Sequence, residues 1–274
     1  MFRGVFMRKY KKKNRICVVS VDVEEDLNQK TFHGVENLDK VLKVFKQFNI
    51  RATLFVTGEV LELYYDKVIK WSKNHEIACH GYYHVPLYKL SISERRDQLR
   101  KFNQLYEDIL GTKPKGFRAV QLIIDTFQLK LLEDLGFVYD SSVVPQRCLF
   151  RKRPSYLGKA PSEPYHPSYD NHLVKGTMKI LEIPVSRLLF GIPLQGTWIR
   201  LIGVKPYRLL LALKKPNFIS LTMHSWDCIR YKGPYSKNSG DNFLVMLKEV
   251  LKMLSNYYNF QSCLDVALTV LKKS

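Results

Sequence analysis

The stretch Glu76-Ile77-Ala78-Cys79-His80-Gly81-Tyr82-Tyr83-His84 is a short apolar run that ends in two histidines four positions apart. Positions i and i+4 share one face of a helical turn, so both imidazoles can converge on a single metal ion. In an arbitrary chain a lone H-x-x-x-H is an ordinary surface pattern, and it is the setting that distinguishes this one. An apolar, strand-like run delivers the pair, and the acidic cluster Asp22-Val23-Glu24-Glu25-Asp26 follows an earlier run, Ile16-Cys17-Val18-Val19-Ser20-Val21. Side chains alternate along a strand, which puts Asp22 and Glu24 on one side and leaves Glu25 and Asp26 to the following loop. Two carboxylates at one strand end can divide the labour, one ligating a metal while the other takes a proton from a nearby water. The plainer reading of the cluster is an acidic loop that caps the next helix.

These groups need a frame. Apolar runs of strand length fall at 15–22, 51–57, 76–80, 115–119, 137–141, 179–186 and 217–223, and stretches of helical period near 36–48, 59–73, 93–110, 125–135, 203–214 and 241–256. Leu38, Val41, Leu42, Phe45 and Phe48 illustrate the helical spacing, and Gly111 and Gly136 sit where helices stop. Such alternation predicts a parallel sheet built from β-α units. Asp22, Thr57, His80, Arg118, Asp140 and His224 all lie at the carboxyl ends of different predicted strands, the face on which barrel enzymes assemble their sites. A closed ring would gather them; a doubly wound open sheet is the alternative, because strand order is not written in one sequence.

At 274 residues the chain suits one large domain, and no internal repeat or low-complexity linker divides it. Forty-four Lys plus Arg against 25 Asp plus Glu give a net charge of +19, which favours anionic partners. Charge is the only feature that suggests nucleic acid, and no nucleic-acid motif accompanies it, so none is expected as a partner. The five cysteines, Cys17, Cys79, Cys148, Cys228 and Cys263, are scattered without a C-x-x-C pair and read as small core residues of a reduced protein. No apolar stretch near the start is long enough for a signal core or a membrane span, so a cytoplasmic location is expected. The basic surplus begins at Arg3, Arg8, Lys9, Lys11, Lys12, Lys13 and Arg15, interleaved with Phe2, Phe6, Met7 and Tyr10. A second set, Arg200, Lys205, Arg208, Lys214 and Lys215, surrounds Leu209-Leu210-Leu211-Ala212-Leu213. Both suggest peripheral docking on an anionic membrane surface at the inner face, with a core helix as the plainer reading of the second set.

Asp22-Val23-Glu24, His80-Gly81-Tyr82-Tyr83-His84, Gly116-Phe117-Arg118-Ala119, Tyr139-Asp140-Ser141-Ser142 and Met223-His224-Ser225-Trp226-Asp227 stand in a fixed order. That ordered set resembles the polysaccharide deacetylases, carbohydrate esterase family 4 with its nodulation-protein-B-type domain, over about residues 15–262. The resemblance implies a distorted, incomplete (β/α) barrel of about seven strands. It leaves 1–14 as a basic tail and 263–274 as a C-terminal helix or tail. It maps His80 and His84 onto metal-binding histidines, Asp22 onto the catalytic base and Glu24 onto the metal ligand, with Glu25 as an alternative ligand. It maps Arg118 onto the arginine that orients the base, His224 onto the general acid, and Asp140 and Ser141 onto the motif that lines the groove and supports that histidine. Trp226 is assigned to an apolar wall, Tyr83 to the substrate, and Gln121 to a backbone N–H for the developing oxyanion. After Arg118 this chain departs from the family by lacking the proline and glycine often found there.

The implied cofactor is a divalent ion, Zn2+ first, with Co2+ or Fe2+ as alternatives; two imidazoles and one carboxylate leave positions open for water and an amide carbonyl. The implied reaction removes an N-acyl group, acetyl or formyl, from an amino sugar, and the expected cytoplasmic location suggests an intracellular nucleotide- or lipid-linked precursor as that sugar. Two other readings share the residues: a metal-dependent amidase acting on a small nitrogenous molecule, and a non-catalytic carbohydrate-binding protein on the same scaffold. The segment 145–175, rich in Pro, Tyr and basic residues, reads as a variable substrate wall, with Tyr156, Tyr165 and Tyr169 available to stack on sugar rings. His166 and His172 are given no metal role.

Overall fold

A computed structural model describes residues 14–145, 160–233 and 235–272. The frame is a sheet of parallel strands: β1 (Ile16–Val23), β2 (Thr53–Val56), β3 (Glu76–Cys79), β4 (Gly116–Phe117), β5 (Tyr139–Asp140), β6 (Leu181–Glu182), β7 (Phe218–His224) and β8 (Asn259–Gln261). The order is β6-β5-β4-β3-β2-β1-β7, and every ladder is parallel. β1 to β6 sit side by side in chain order and β7 then takes the other edge of β1, the order of a ring opened between β6 and β7. One edge of β1 serves two partners, β8 along Ile16–Val18 and β2 along Ser20–Val23. The end strands β6 and β7 share no ladder. A single parallel bridge, Gln195 to Thr222, and the hydrogen bond from Ser186 N–H to Ser220 Oγ (2.7 Å) span the space between them. The expected incomplete barrel of about seven strands is thus observed.

Period-two alternation divides the strands' apolar side chains between two cores. Val19, Val21 and Val23 of β1 join the large cluster under the surrounding helices. Val18, Phe55, Ala78, Tyr139, Leu181 and Phe218 form a smaller cluster with Cys263, Val266 and Ala267. The last three belong to the helix Cys263–Leu271, which therefore plugs the N-terminal end of the barrel interior. Glu76 fixes the plug: its carboxylate accepts from Thr53 Oγ1 (2.6 Å), Tyr139 Oη (2.5 Å) and Leu264 N–H (2.9 Å), the last at the start of that helix where negative charge is favoured. Burial pushes the Glu76 pKa up against these hydrogen bonds. The segment expected as a helix or tail is thus part of the core, and β8, absent from the strands read in the sequence, precedes it.

Helix positions follow the apolar period, with breaks that the period does not encode. The stretches 36–48 and 59–73 each divide, into His33–Asn37 and Asp39–Gln47, and into Gly58–Leu63 and Tyr65–Ser72. The helix Ile92–Leu110 has a full capping box, Ser91 with Glu94, and ends at Gly111. The stretch 203–214 becomes Lys205–Leu213, preceded by a further helix, Gly196–Ile202. Lys205–Leu213 buries Tyr207, Leu210 and Leu211 and leaves Lys205, Arg208, Leu209 and Leu213 exposed, while Arg200, on the preceding helix, is wholly enclosed. The basic run up to Lys13, Cys148, Tyr156 and the run Arg151–Pro154 lie outside the described residues. Among the described residues no helix is long and apolar enough to cross a membrane. The four described cysteines are buried and unbonded.

Candidate active site

The ladder registers bring the reactive ends together. Asp22 is opposite His224 on β7 and Phe55 on β2, while Cys79 is opposite Phe117, so His80 and Arg118 leave adjacent strands side by side. Glu24 follows β1 by one residue and is enclosed. Its Oε2 is 3.1 Å from His80 Nε2 and 2.8 Å from His84 Nε2, and its Oε1 accepts from Trp226 Nε1 at 3.2 Å. Burial would raise its pKa, but the two imidazoles hold the carboxyl well below the usual range. Ser225 ties the Glu24 backbone down, donating from Oγ to its carbonyl and accepting from its N–H.

The His80–His84 pair does not occupy a helical turn as its spacing suggested. The chain bends after β3, with Gly81 in the left-handed region (φ +84°), and the two rings come to 5.8 Å between centroids. Only glycine takes that conformation without strain. The bend, rather than helical periodicity, aims both rings at Glu24.

Donor chemistry tests whether these three residues suit a metal. His80 Nδ1 is 2.8 Å from the Arg118 carbonyl, which can only accept, so Nδ1 carries the hydrogen. A neutral His80 then presents the Nε2 lone pair to a carboxylate oxygen, an arrangement of two acceptors that a cation resolves. One ligand atom from each of Glu24, His80 and His84 falls within 4.8 Å of the others. Two imidazoles and a carboxylate, with one imidazole fixed by the Arg118 carbonyl, fit a divalent ion such as zinc. Glu25 lies on the far side of His84, its Oε1 3.6 Å from Nδ1.

Asp22 stands beside this set. Its Oδ1 accepts from Arg118 Nη1 (2.7 Å), and its Oδ2 has no hydrogen-bond partner among the described residues. Arg118 is fully buried and fully committed: Nη1 also meets Ser20 Oγ, Nε donates to the Ser141 carbonyl, Nη2 donates to Ser141 Oγ, and the guanidinium lies 4.1 Å from the centre of the Phe55 ring. A fork held this way fixes one carboxylate oxygen and leaves the other free.

His224 stacks on the Trp226 indole at 4.3 Å and 13°. Asp227 Oδ2 accepts its backbone N–H (2.9 Å) and lies 3.7 Å from its Nδ1. Asp227 is in turn gripped by Arg200, Nε to Oδ1 at 2.8 Å, and both side chains are completely buried. Arg200 also donates to the Tyr235 and Lys237 carbonyls and to Tyr231 Oη. Gly196 makes this packing possible, because a Cβ there would lie 2.2 Å from Asp227 Oδ2. Burial alone would lower the His224 pKa. The Asp227 carboxylate, 3.7 Å from Nδ1, and the charges of Glu24 and Asp22 outweigh it and raise the pKa to about 9.

Asp140 and Ser141 sit elsewhere than the sequence reading placed them. Asp140 does not reach His224: it faces the opposite side of its strand from Ser141, and accepts from Ser142 N–H (3.0 Å) and Ser142 Oγ (2.7 Å). Beside it Glu182 is equally buried. Burial raises both pKa values, and the charge of Asp140 drives that of Glu182 further up. Ser141 is enclosed, its hydroxyl accepting from Arg118 and donating to the Ile183 carbonyl, so it braces Arg118 instead of lining a groove. Tyr83 is exposed at the rim, edge-on to Tyr82 with the Lys101 ammonium 5.6 Å from its ring. Trp226 is more than a wall, since it donates to Glu24. Gln121 is exposed, and it and Leu122 both adopt positive φ (61° and 57°) without being glycine. Asp227 and Ser20 carried no assigned role in the sequence reading and Arg200 was read as basic surface, although Asp227 closes the quoted motif around His224.

Fold and site together define a parallel (β/α) barrel protein with a two-histidine, one-carboxylate centre at the carboxyl ends of its strands. Residues 12–139, a little under half of the chain, match the family model for polysaccharide deacetylase, the family that the motifs resemble. It is 28% identical over 124 residues to the peptidoglycan deacetylase of Helicobacter pylori, a match that covers 45% of this chain and 42% of that protein. The chain spans less than half the length of the curated relatives it matches. A Mycobacterium smegmatis structure assigned as a polysaccharide deacetylase superposes with a TM-score of 0.69 at 17% identity, covering 96% of this chain and 92% of the other. PuuE allantoinase superposes with a TM-score of 0.65 at 15% identity, over 94% and 90%. At these identities the two structures speak to fold.

Proposed function

We propose that the chain is a metal-dependent hydrolase that removes an N-acyl group, acetyl or formyl, from an amino sugar. The observation that carries the reading is the juxtaposition of a Glu24, His80, His84 donor set with two differently prepared proton carriers, Asp22 and His224. A divalent ion held there supplies Lewis acidity, polarising the amide carbonyl and making water more acidic. Asp22 accepts a proton from the attacking water at Oδ2 while Arg118 holds Oδ1 in place. His224, with Nδ1 turned toward Asp227, donates from Nε2 to the departing nitrogen, which cannot leave as an amine anion at neutral pH. We assign the Gln121 backbone N–H, in the turn after Arg118, as a donor to the charge that develops on the carbonyl oxygen. The match to deacetylases supports the sugar as substrate, and the ion is assigned as zinc with cobalt or iron as substitutes.

The test is incubation of metal-loaded protein with N-acetylated polymers, nucleotide sugars, lipid-linked sugars and allantoin, reading released acetate, formate or ring-opened product. Acetate or formate from a sugar supports the proposal. Turnover of allantoin alone favours the amidase reading, which the likeness to an allantoinase fold keeps in view, and metal binding without turnover of any probe favours the non-catalytic one.

The same assignment fixes a pH response. A general acid works protonated, so kcat/KM falls as pH rises through the His224 pKa, which is raised to about 9 here. A cation on Glu24 cancels that residue's share of the increase and places the limb lower. Asp227→Asn removes the carboxylate charge beside Nδ1. The alkaline limb of the pH–rate profile is therefore expected to move to lower pH, whereas an unmoved limb excludes Asp227 as the residue that holds the His224 proton.

A further inference from the structure

Beside the site, on the other side of Trp226, the loop after β1 and the turn after β7 enclose a cavity of about 180 Å3, with Asp26, Leu27 and His33 on one wall and Trp226, Arg230 and Tyr231 on the other. Trp226 is shared between the two spaces. Its indole N–H donates to Glu24, its face stacks on His224, and Tyr231 meets its edge at 5.9 Å and 87°. Trp226 thus borders both the Glu24 and His224 side chains and this cavity.

The charges around the cavity are not all available. Asp26 is spent: its two oxygens accept from Thr31 Oγ1 (2.8 Å), His33 N–H (2.8 Å) and Gly34 N–H (2.9 Å). His33 is paired with Glu36 at 3.2 Å. Arg200, behind Trp226 and Tyr231, is neutralised by Asp227. Arg230 is exposed, and among the described residues its guanidinium makes no hydrogen bond or ion pair. A pocket with aromatic walls and one uncommitted guanidinium matches a sugar that bears an acid, because that fork binds phosphate or carboxylate oxygens in pairs.

We infer that this cavity is the subsite for an anionic group, phosphate or carboxylate, carried by the amino sugar or by the unit next to it, and that Arg230 selects for it. The inference rests on the N-deacylase reading and specifies the substrate class for that same site. Acetate release is to be compared for neutral diacetylchitobiose, N-acetylglucosamine 1-phosphate and a disaccharide of N-acetylglucosamine with glucuronic acid. The wild type is expected to prefer a charged probe, and the phosphate and carboxylate arms identify which acid is recognised. Arg230→Ala is expected to lower the charged-to-neutral ratio of kcat/KM roughly tenfold, the loss of one charge-assisted contact. Arg230→Lys should restore part of the ratio, and Arg230→Glu should invert the preference. Arg230 is exposed, so thermal melting of the variants should match the wild type. A ratio unchanged in all three variants, with turnover intact, overturns the subsite and leaves the deacylase reading standing. If no probe is turned over, calorimetric titration of metal-loaded protein with N-acetylglucosamine 1-phosphate decides separately. Binding weakened by Arg230→Glu retains the subsite without the reaction, and binding that is absent or insensitive to Arg230 overturns it.

Discussion

Replacing His84 by alanine is expected to remove bound divalent metal and turnover together. Loss of a single outer-shell partner typically costs about 10–100-fold in metal affinity, and loss of a ligand costs more, because one imidazole and one carboxylate hold an ion poorly. His84 is the cleaner of the two ligands to test. It sits in the bend after β3 and is partly exposed, whereas His80 is buried and its Nδ1 satisfies the Arg118 carbonyl. His80→Ala should lose metal as well, but it also strands that carbonyl and leaves a void next to Arg118, so some of its effect will appear as lowered stability. Metal per chain by elemental analysis, read alongside the thermal midpoint, separates the two contributions. Full occupancy in either variant removes the assignment. The metal-free electrostatics add a direction. Burial lowers the His84 pKa, but Glu24 and Glu25 raise it above the ordinary histidine value overall. A proton therefore competes with the ion at higher pH than at an ordinary histidine, and occupancy should fall as pH falls through that raised value.

Much of this arrangement is legible before any coordinates, and the failures have identifiable physical causes. Apolar runs and their period predict β1 and β7 closely and locate the four-residue β2 and β3, because strands packed on both faces carry a strong signal. β4, β5 and β6 are two residues each, and there the pattern predicts longer strands than form. Even so, strand alternation contains the correction for Asp140: consecutive residues point to opposite faces, so Asp140 and Ser141 cannot both look into the site. The Arg200–Asp227 pair is less accessible to such reasoning. Its members are 27 positions apart, on a short helix and a turn, and nothing local marks Arg200 as buried rather than basic surface. Gly196 is the nearest thing to a signal, since a glycine at a helix start permits the close approach of Asp227. The convergence of His80 and His84 was read correctly from their spacing, but through the wrong local geometry, because four positions on a helical turn and four positions around a glycine bend bring two rings to similar separations.

The division of labour between the two carboxylates is the second large effect. Glu24 touches both imidazoles through Oε2 and receives Trp226 at Oε1, so no oxygen is left over for proton transfer. Asp22 has the opposite character, with Oδ1 fixed by Arg118 and Oδ2 unpartnered among the described residues. Asp22→Asn preserves shape and should leave metal content near that of the wild type, while kcat falls by about 10²–10⁴-fold, the usual range for loss of a positioned general base. The substitution also leaves the buried Arg118 guanidinium without its counter-charge, so a loss of stability is expected alongside and should be measured separately. Glu24→Gln should do the reverse at the metal, weakening binding itself, with activity recovered in part as the ion concentration is raised. A titration of activity against added zinc distinguishes the two: rescue in Glu24→Gln and none in Asp22→Asn is the expected pair of results. Metal lost from Asp22→Asn and retained by Glu24→Gln would assign the roles the other way round.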